Sequence, residues 1–206
     1  MALNTLAPLG LIRANNLVGA PTYGLSSFKI KNGYTGSIGL GDLVRTGGAG
    51  VNQGEVILAA NNDTSYLGVF AGIYPYYDTT LQAIGHGLMG SYRAGLAPPA
   101  GVDIQCAVID DPFATYRAQV SGGPWAETWR GQNINWLANT NGAPNAAGLS
   151  TLVLDAASIN VTPTLPLRIV GLAGVPGGPQ DPANTNPWVL VRINAALAEH
   201  LMGTGI

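Results

Sequence analysis

Glycine and proline, 29 and 14 residues of 206, interrupt this chain so often that no long helix fits anywhere in it. Turn signals recur roughly every ten positions, the spacing of short strands joined by loops. Nine segments read as strands: Gly39 to Arg45, Glu55 to Ala60, Tyr66 to Ile73, Val102 to Ile109, Tyr116 to Val120, Leu149 to Asp155, Ser158 to Thr162, Leu165 to Leu172 and Trp188 to Asn194. Residues 102–109 and 116–120 alternate apolar and polar, so each buries one face. Tyr66 to Ile73 is apolar throughout, as a strand covered on both faces would be. The predicted fold is mainly β, an antiparallel β-sandwich or jelly-roll-like barrel.

Two short helices are predicted beside the strands. One follows Pro124 and brings Trp125 and Trp129 to one face. The other runs from Asn194, as cap, to Leu201, and Gly203 ends it. Residues 1–35 break every period and read as an extended N-terminal arm without a regular core of its own; of the surfaces open to it, its own domain, a sister subunit or another protein, it is expected to lie across a neighbouring protein and to anchor the domain there. Residues 36–206 form the single β-rich domain.

Charged residues are only 10% of the chain, against about 25% in ordinary globular proteins. So few charges suit a molecule that covers much of its surface with partners. Two lysines and seven arginines lie singly along the sequence, and the net charge is −2. A nucleic-acid surface needs clustered cations, so no nucleic-acid partner is expected. No stretch reaches the about 18 apolar residues that span a bilayer, and no membrane partner is expected. The N-terminus lacks the basic start of a secretion signal, which predicts synthesis and assembly in a cytoplasm.

Motifs that carry chemistry are sparse. Gly85 to Gly90 fits G-x-G-x-x-G, but this glycine content supplies roughly one chance match in every two such chains, and no helix pattern follows. His86 and His200 lack metal-like neighbours, and Cys106 is the only cysteine. Neither a metal site nor a nucleophile pair is predicted. Asp110 and Asp111 precede Pro112 and read as a turn whose carboxylates bond the backbone. Cys106 shares strand parity with Ile104 and Val108 and is expected buried and unreactive. The triplets at Asn62 and Asn160 fit a glycosylation pattern that matters only in a secreted eukaryotic protein. Trp125, Trp129 and Trp136 allow a sugar-stacking reading, with packing against the sheet as the commoner use.

Several stretches in order resemble tailed-phage virion proteins that accompany the major capsid protein: Ala7 to Leu11, Ile38 to Val44, Leu67 to Gly72, Ala107 to Pro112, Tyr116 to Gln119, Gly148 to Ser150, Leu167 to Leu172, Val189 to Asn194 and the closing Gly203 to Ile206. One departure is the arm, where the family leads one to expect more basic character than its one arginine, Arg13, supplies. The resemblance implies a non-enzymatic capsid decoration or cement protein without cofactor, catalytic residues or metal. Its partners would be the major capsid protein and copies of itself, with a trimer favoured over a dimer. It would sit on the capsid exterior after assembly in the bacterial host cytoplasm. The alternative is a carbohydrate- or receptor-binding β-module of a head fibre or tail. Interface candidates are Leu9, Leu11 and Arg13 in the arm and Trp188, Leu190 and Arg192 on the last strand. Val189, Val191 and Ile193 take the opposite, core-facing parity of that strand.

Overall fold

The computed structural model describes residues 8–14, 24–48, 54–80, 82–85, 90–173 and 185–201. These form a β-sandwich. One sheet joins β1 (Ile12–Arg13), β9 (Tyr116–Ser121), β13 (Trp188–Ile193), β12 (Leu167–Leu172) and β10 (Asn133–Ile134) in that order, and β11 (Leu154–Asp155) runs parallel to β9. The second joins β2 (Leu25–Ile30), β8 (Ile104–Ile109), β5 (Gly68–Ile73), β3 (Leu43–Thr46) and β4 (Val56–Leu58). Every pairing within both five-strand orders is antiparallel. A hairpin of β6 (Tyr76–Asp78) and β7 (Ala83–Gly85) stands apart.

The apolar patterns explain the layering. Tyr116, Ala118 and Val120 of β9 join Val189, Val191 and Ile193 of β13 and Leu167 and Ile169 of β12 in one core. Leu43 and Val69 of the five-stranded sheet belong to the same core. Their strand neighbours Val44 and Phe70 point the other way, into a second core with Ile30, Val56, Ile104, Cys106 and Val108. The five-stranded sheet is thus buried on both faces, which is why its central strand reads as a continuous apolar run. It curls until β2 comes near β4, but the two do not pair, so no barrel closes.

Cys106 is fully buried between Ile104 and Val108, as its parity predicts. Burial pushes its thiol up to about 12. A folded value raised above the unfolded one leaves stability intact below about pH 8.5 and erodes it as pH climbs toward the folded value. At pH 8 a thiol reagent is therefore expected to label the folded chain far more slowly than the denatured one. Rapid native labelling would place Cys106 on the surface and shift β8 by one residue.

Three expectations need correction. First, residues 8–14 and 24–35 lie along their own domain. β1 extends β9 and β2 extends β8. Leu11 is 3% exposed and belongs to the first core, and Ile30 is fully buried in the second. Deleting residues 2–20 thus removes core, not merely an anchor. Second, the two predicted helices are single 3-10 turns, Glu127–Trp129 and Glu199–Leu201, and the described residues contain no α-helix. Glycines 122, 123 and 131 bracket the first with positive φ. Before the second, Asn194 turns its Nδ2 to the Pro163 and Leu165 carbonyls, and its Oδ1 accepts only a long bond from Ala196 N–H. Third, Ser158 to Thr162 is not a strand. Asp155 caps a 3-10 turn at Ala156–Ser158, and Asn160 Oδ1 accepts from Val161 N–H and Thr162 Oγ. Such local side-chain bonds compete with a sheet ladder.

Candidate interaction surface

The outer face of the six-stranded sheet follows from strand parity. On β13 the core takes Val189, Val191 and Ile193, leaving Trp188, Leu190 and Arg192 partly exposed on the other side. Register places Arg117 of β9 opposite Leu190, and Arg168 of β12 opposite Arg192. Gly171 faces Leu190 across a bulge, and the Arg130 guanidinium lies over it: a Cβ at Gly171 would stand 2.8 Å from Arg130 Nη1. Arg130 also donates to the Val170 carbonyl at 3.2 Å and pairs with Glu127.

Four of the seven arginines therefore share one face with a tryptophan and a leucine. The sequence shows them scattered; only the strand order β9–β13–β12 gathers them. Arg117, Arg168 and Arg192 each sit at the polar parity of their strand, whereas Arg130 follows the Glu127–Trp129 turn, so the signal was present for three of the four but could not be read before the strands were ordered. Trp188 is held in place, with Gln119 paired opposite it in register.

The arm candidates divide. Leu9 is 39% exposed, whereas Leu11 is in the core and donates its N–H to the Gly41 carbonyl at 2.9 Å. Arg13 pairs in register with Tyr116 and is partly buried beside that phenol. Leu11 is thus a packing residue of the first core.

A buried polar node fixes how the chain enters the sandwich. Asp42 is fully buried; its Oδ2 accepts from Gly39 N–H at 2.6 Å and Gly142 N–H at 3.0 Å, and its Oδ1 from Ser150 Oγ. Burial pushes its carboxyl up, and these bonds hold it partly down. Asn141 adds a second clamp, accepting from Leu43 N–H and donating to the Leu43 and Ala59 carbonyls. Gly10, at φ 70°, passes so close that a Cβ would stand 2.9 Å from the Gly41 carbonyl oxygen. The node joins the N-terminal segment, β3 and the 139–152 loop, and the three bonds the carboxylate accepts tie these segments together.

Trp125 and Trp129 meet edge to face, with ring centroids 5.7 Å apart, and pack half-buried against the first core, while Trp136 is buried within it. These rings are sheet packing. An open groove of about 490 Å³ lies elsewhere, lined by Tyr74, Tyr76, Tyr77, Val102, Asp103 and Gln105. Asp110 Oδ2 lies 3.2 Å from His200 Nε2, and Asp111 Oδ1 accepts from Phe113 N–H at 2.8 Å, the backbone-bonding role its turn predicts. Among the described residues no three His, Cys, Asp or Glu side chains come together as a metal site. His86 and the closing Gly203 to Ile206 lie outside the described residues. No described helix is long and apolar enough to cross a membrane. Comparison with protein-family models, curated proteins and solved structures finds no match to this chain.

Proposed function

We propose that this chain is a non-enzymatic capsid decoration protein, bound to the outer surface of a phage head and reinforcing it. The observation that carries the reading is the outer face of the six-stranded sheet. Trp188 and the four Arg there are of the residue types enriched in interface hot spots, and Leu190 adds apolar surface between them. The ordered stretches resembling phage virion proteins run through the strands that build this face. A binder that prefers assembled shell over free subunits stabilises the shell by mass action. In this role the partners are the major capsid protein and sister copies, trimeric rather than dimeric, and the site of action is the virion exterior.

The test is co-sedimentation with heads stripped of the protein. Wild type is expected to rebind and to raise the temperature at which heads rupture. Arg117→Ala combined with Leu190→Ala is expected to rebind at least about tenfold more weakly with an unchanged circular dichroism spectrum. Undiminished rebinding by that variant would remove this face from the account.

A second reading, a carbohydrate-binding module, is favoured by one observation, the tyrosine-lined groove. Aromatic faces flanked by a carboxylate and an amide suit a pyranose ring. Saccharide-induced quenching of tyrosine fluorescence, lost in Tyr77→Ala, would support that reading over the first.

A further inference from the structure

Arg168 and Arg192 stand directly opposite one another on β12 and β13. Opposed residues in an antiparallel pair are close neighbours, and like charges there repel. Asn133, which continues the row beyond Arg168, is neutral. Neither arginine forms an ion pair among the described residues. Like charges set opposite one another in this way disfavour the isolated chain.

The complementary feature is on the same molecule. The turn between β8 and β9 carries Asp111 and Phe113. Asp111 uses one carboxylate oxygen to accept the Phe113 N–H, and its other oxygen has no partner among the described residues. Phe113 is 65% exposed. The turn is stiffened by Pro112 and by the Ala114 N–H bond to the Asp111 carbonyl at 3.0 Å. It thus presents a carboxylate and an aromatic ring two residues apart. The opposing face presents Arg192 and Leu190, also two residues apart, about 7 Å along a strand.

We propose that the β8–β9 turn of one copy docks on the outer sheet face of a second copy, Asp111 between Arg168 and Arg192 and Phe113 against Leu190. A carboxylate bound by guanidinium forks is among the stronger polar contacts, and it removes the repulsion of the opposed pair. The occupant is a sister chain because both halves of the contact, each unsatisfied alone, lie on this chain. Nucleic acid is disfavoured by the net charge of −2 and by the apolar neighbours of the arginines. Two unlike patches close either reciprocally as a dimer or head-to-tail as a ring; the proposed trimer is the ring. The inference rests on reading this sheet face as an interface, and not on which shell it serves.

Sedimentation velocity on the full chain at high micromolar concentration tests it. Wild type is expected to self-associate, less so as salt rises. Arg192→Glu and Asp111→Asn are each expected to weaken association about tenfold or more; Asn keeps the bond to Phe113 N–H while removing the charge. The charge-swapped double variant Arg192→Glu with Asp111→Arg is expected to recover association. Arg192→Thr is expected to melt no lower than wild type under dissociating conditions, which a merely structural arginine would not allow. A monomeric wild type, an unaffected Arg192→Glu, or binding of oligothymidylate that this variant abolishes while self-association persists would each overturn the proposal. A monomeric wild type that still rebinds stripped heads would do so while leaving the decoration reading intact. Self-association that obeys the charge swap, without head binding, would keep this proposal and sink that reading.

Discussion

Asp42→Ala is expected to lower the melting temperature by about 10 °C, one of the largest effects of any single substitution outside the apolar core. The side chain satisfies three buried donors, from Gly39, Gly142 and Ser150. Each buried donor left unmatched costs about 1–3 kcal/mol, and partial relaxation keeps the sum nearer 3–4 kcal/mol. Asp42→Asn separates charge from hydrogen bonding. Its oxygen can still accept from both backbone N–H groups, but its Nδ2 faces Ser150 Oγ, which already accepts from Leu152 N–H. Its cost is expected near 1–2 kcal/mol. Because burial raises the folded carboxyl above its unfolded value, the wild-type contribution is complete below about pH 4 and declines as pH rises through the folded value. The gap between wild type and Asp42→Asn should therefore narrow from pH 4 to pH 7 in thermal melts. An Asp42→Ala protein melting with wild type would show that the node does not hold the sandwich together.

Val191→Asp and Trp188→Ala, three residues apart on one strand, are expected to fail in opposite ways. Val191 is fully buried at the centre of the first core. A carboxylate there has no cation to meet and costs about 5 kcal/mol or more, comparable to the whole stability of a domain. The chain should lose its circular dichroism signature and be recovered unfolded or aggregated. Trp188 lies on the outer face, only partly buried. Its truncation is expected to leave secondary structure in place and to cost roughly 2 kcal/mol or more of assembly energy, about a thirtyfold loss of association. Circular dichroism and light scattering on both variants distinguish these outcomes. An unfolded Trp188→Ala whose surviving fraction assembles normally would assign that face to the domain's own packing.

The β13 faces were legible from the sequence because strict alternation has one solution once a strand is granted. Cys106 was legible for the same reason, and the two-sided burial of Tyr66 to Ile73 because every residue in the run is apolar. β2 was not: as an edge strand, Leu25–Ile30 leaves most of its positions exposed or half-buried and shows no apolar stripe. Leu11 was missed because a single core residue between turn formers has no period to reveal it. The turns near Trp125 and Glu199 were read one level too regular, since helix formers in a row say nothing of the glycines and asparagines that stop them. The arginine face is a different kind of omission. Arg117, Arg168 and Arg192 belong to strands far apart in the chain, and their meeting is a property of strand order, which no local pattern encodes. Asp42 likewise draws its donors from residues 39, 142 and 150, contacts that only the folded chain brings within reach.

The copy number of this protein in purified particles of a phage whose genome carries its sequence, the source that the proposed role requires, tests the central claim most directly. Quantitative mass spectrometry against the major capsid protein should find it in hundreds of copies per particle, in fixed ratio to the shell subunit, as an exterior lattice of decorating oligomers requires. A dozen copies or fewer would place it in a tail or fibre, and none would remove it from the virion; either result contradicts the account.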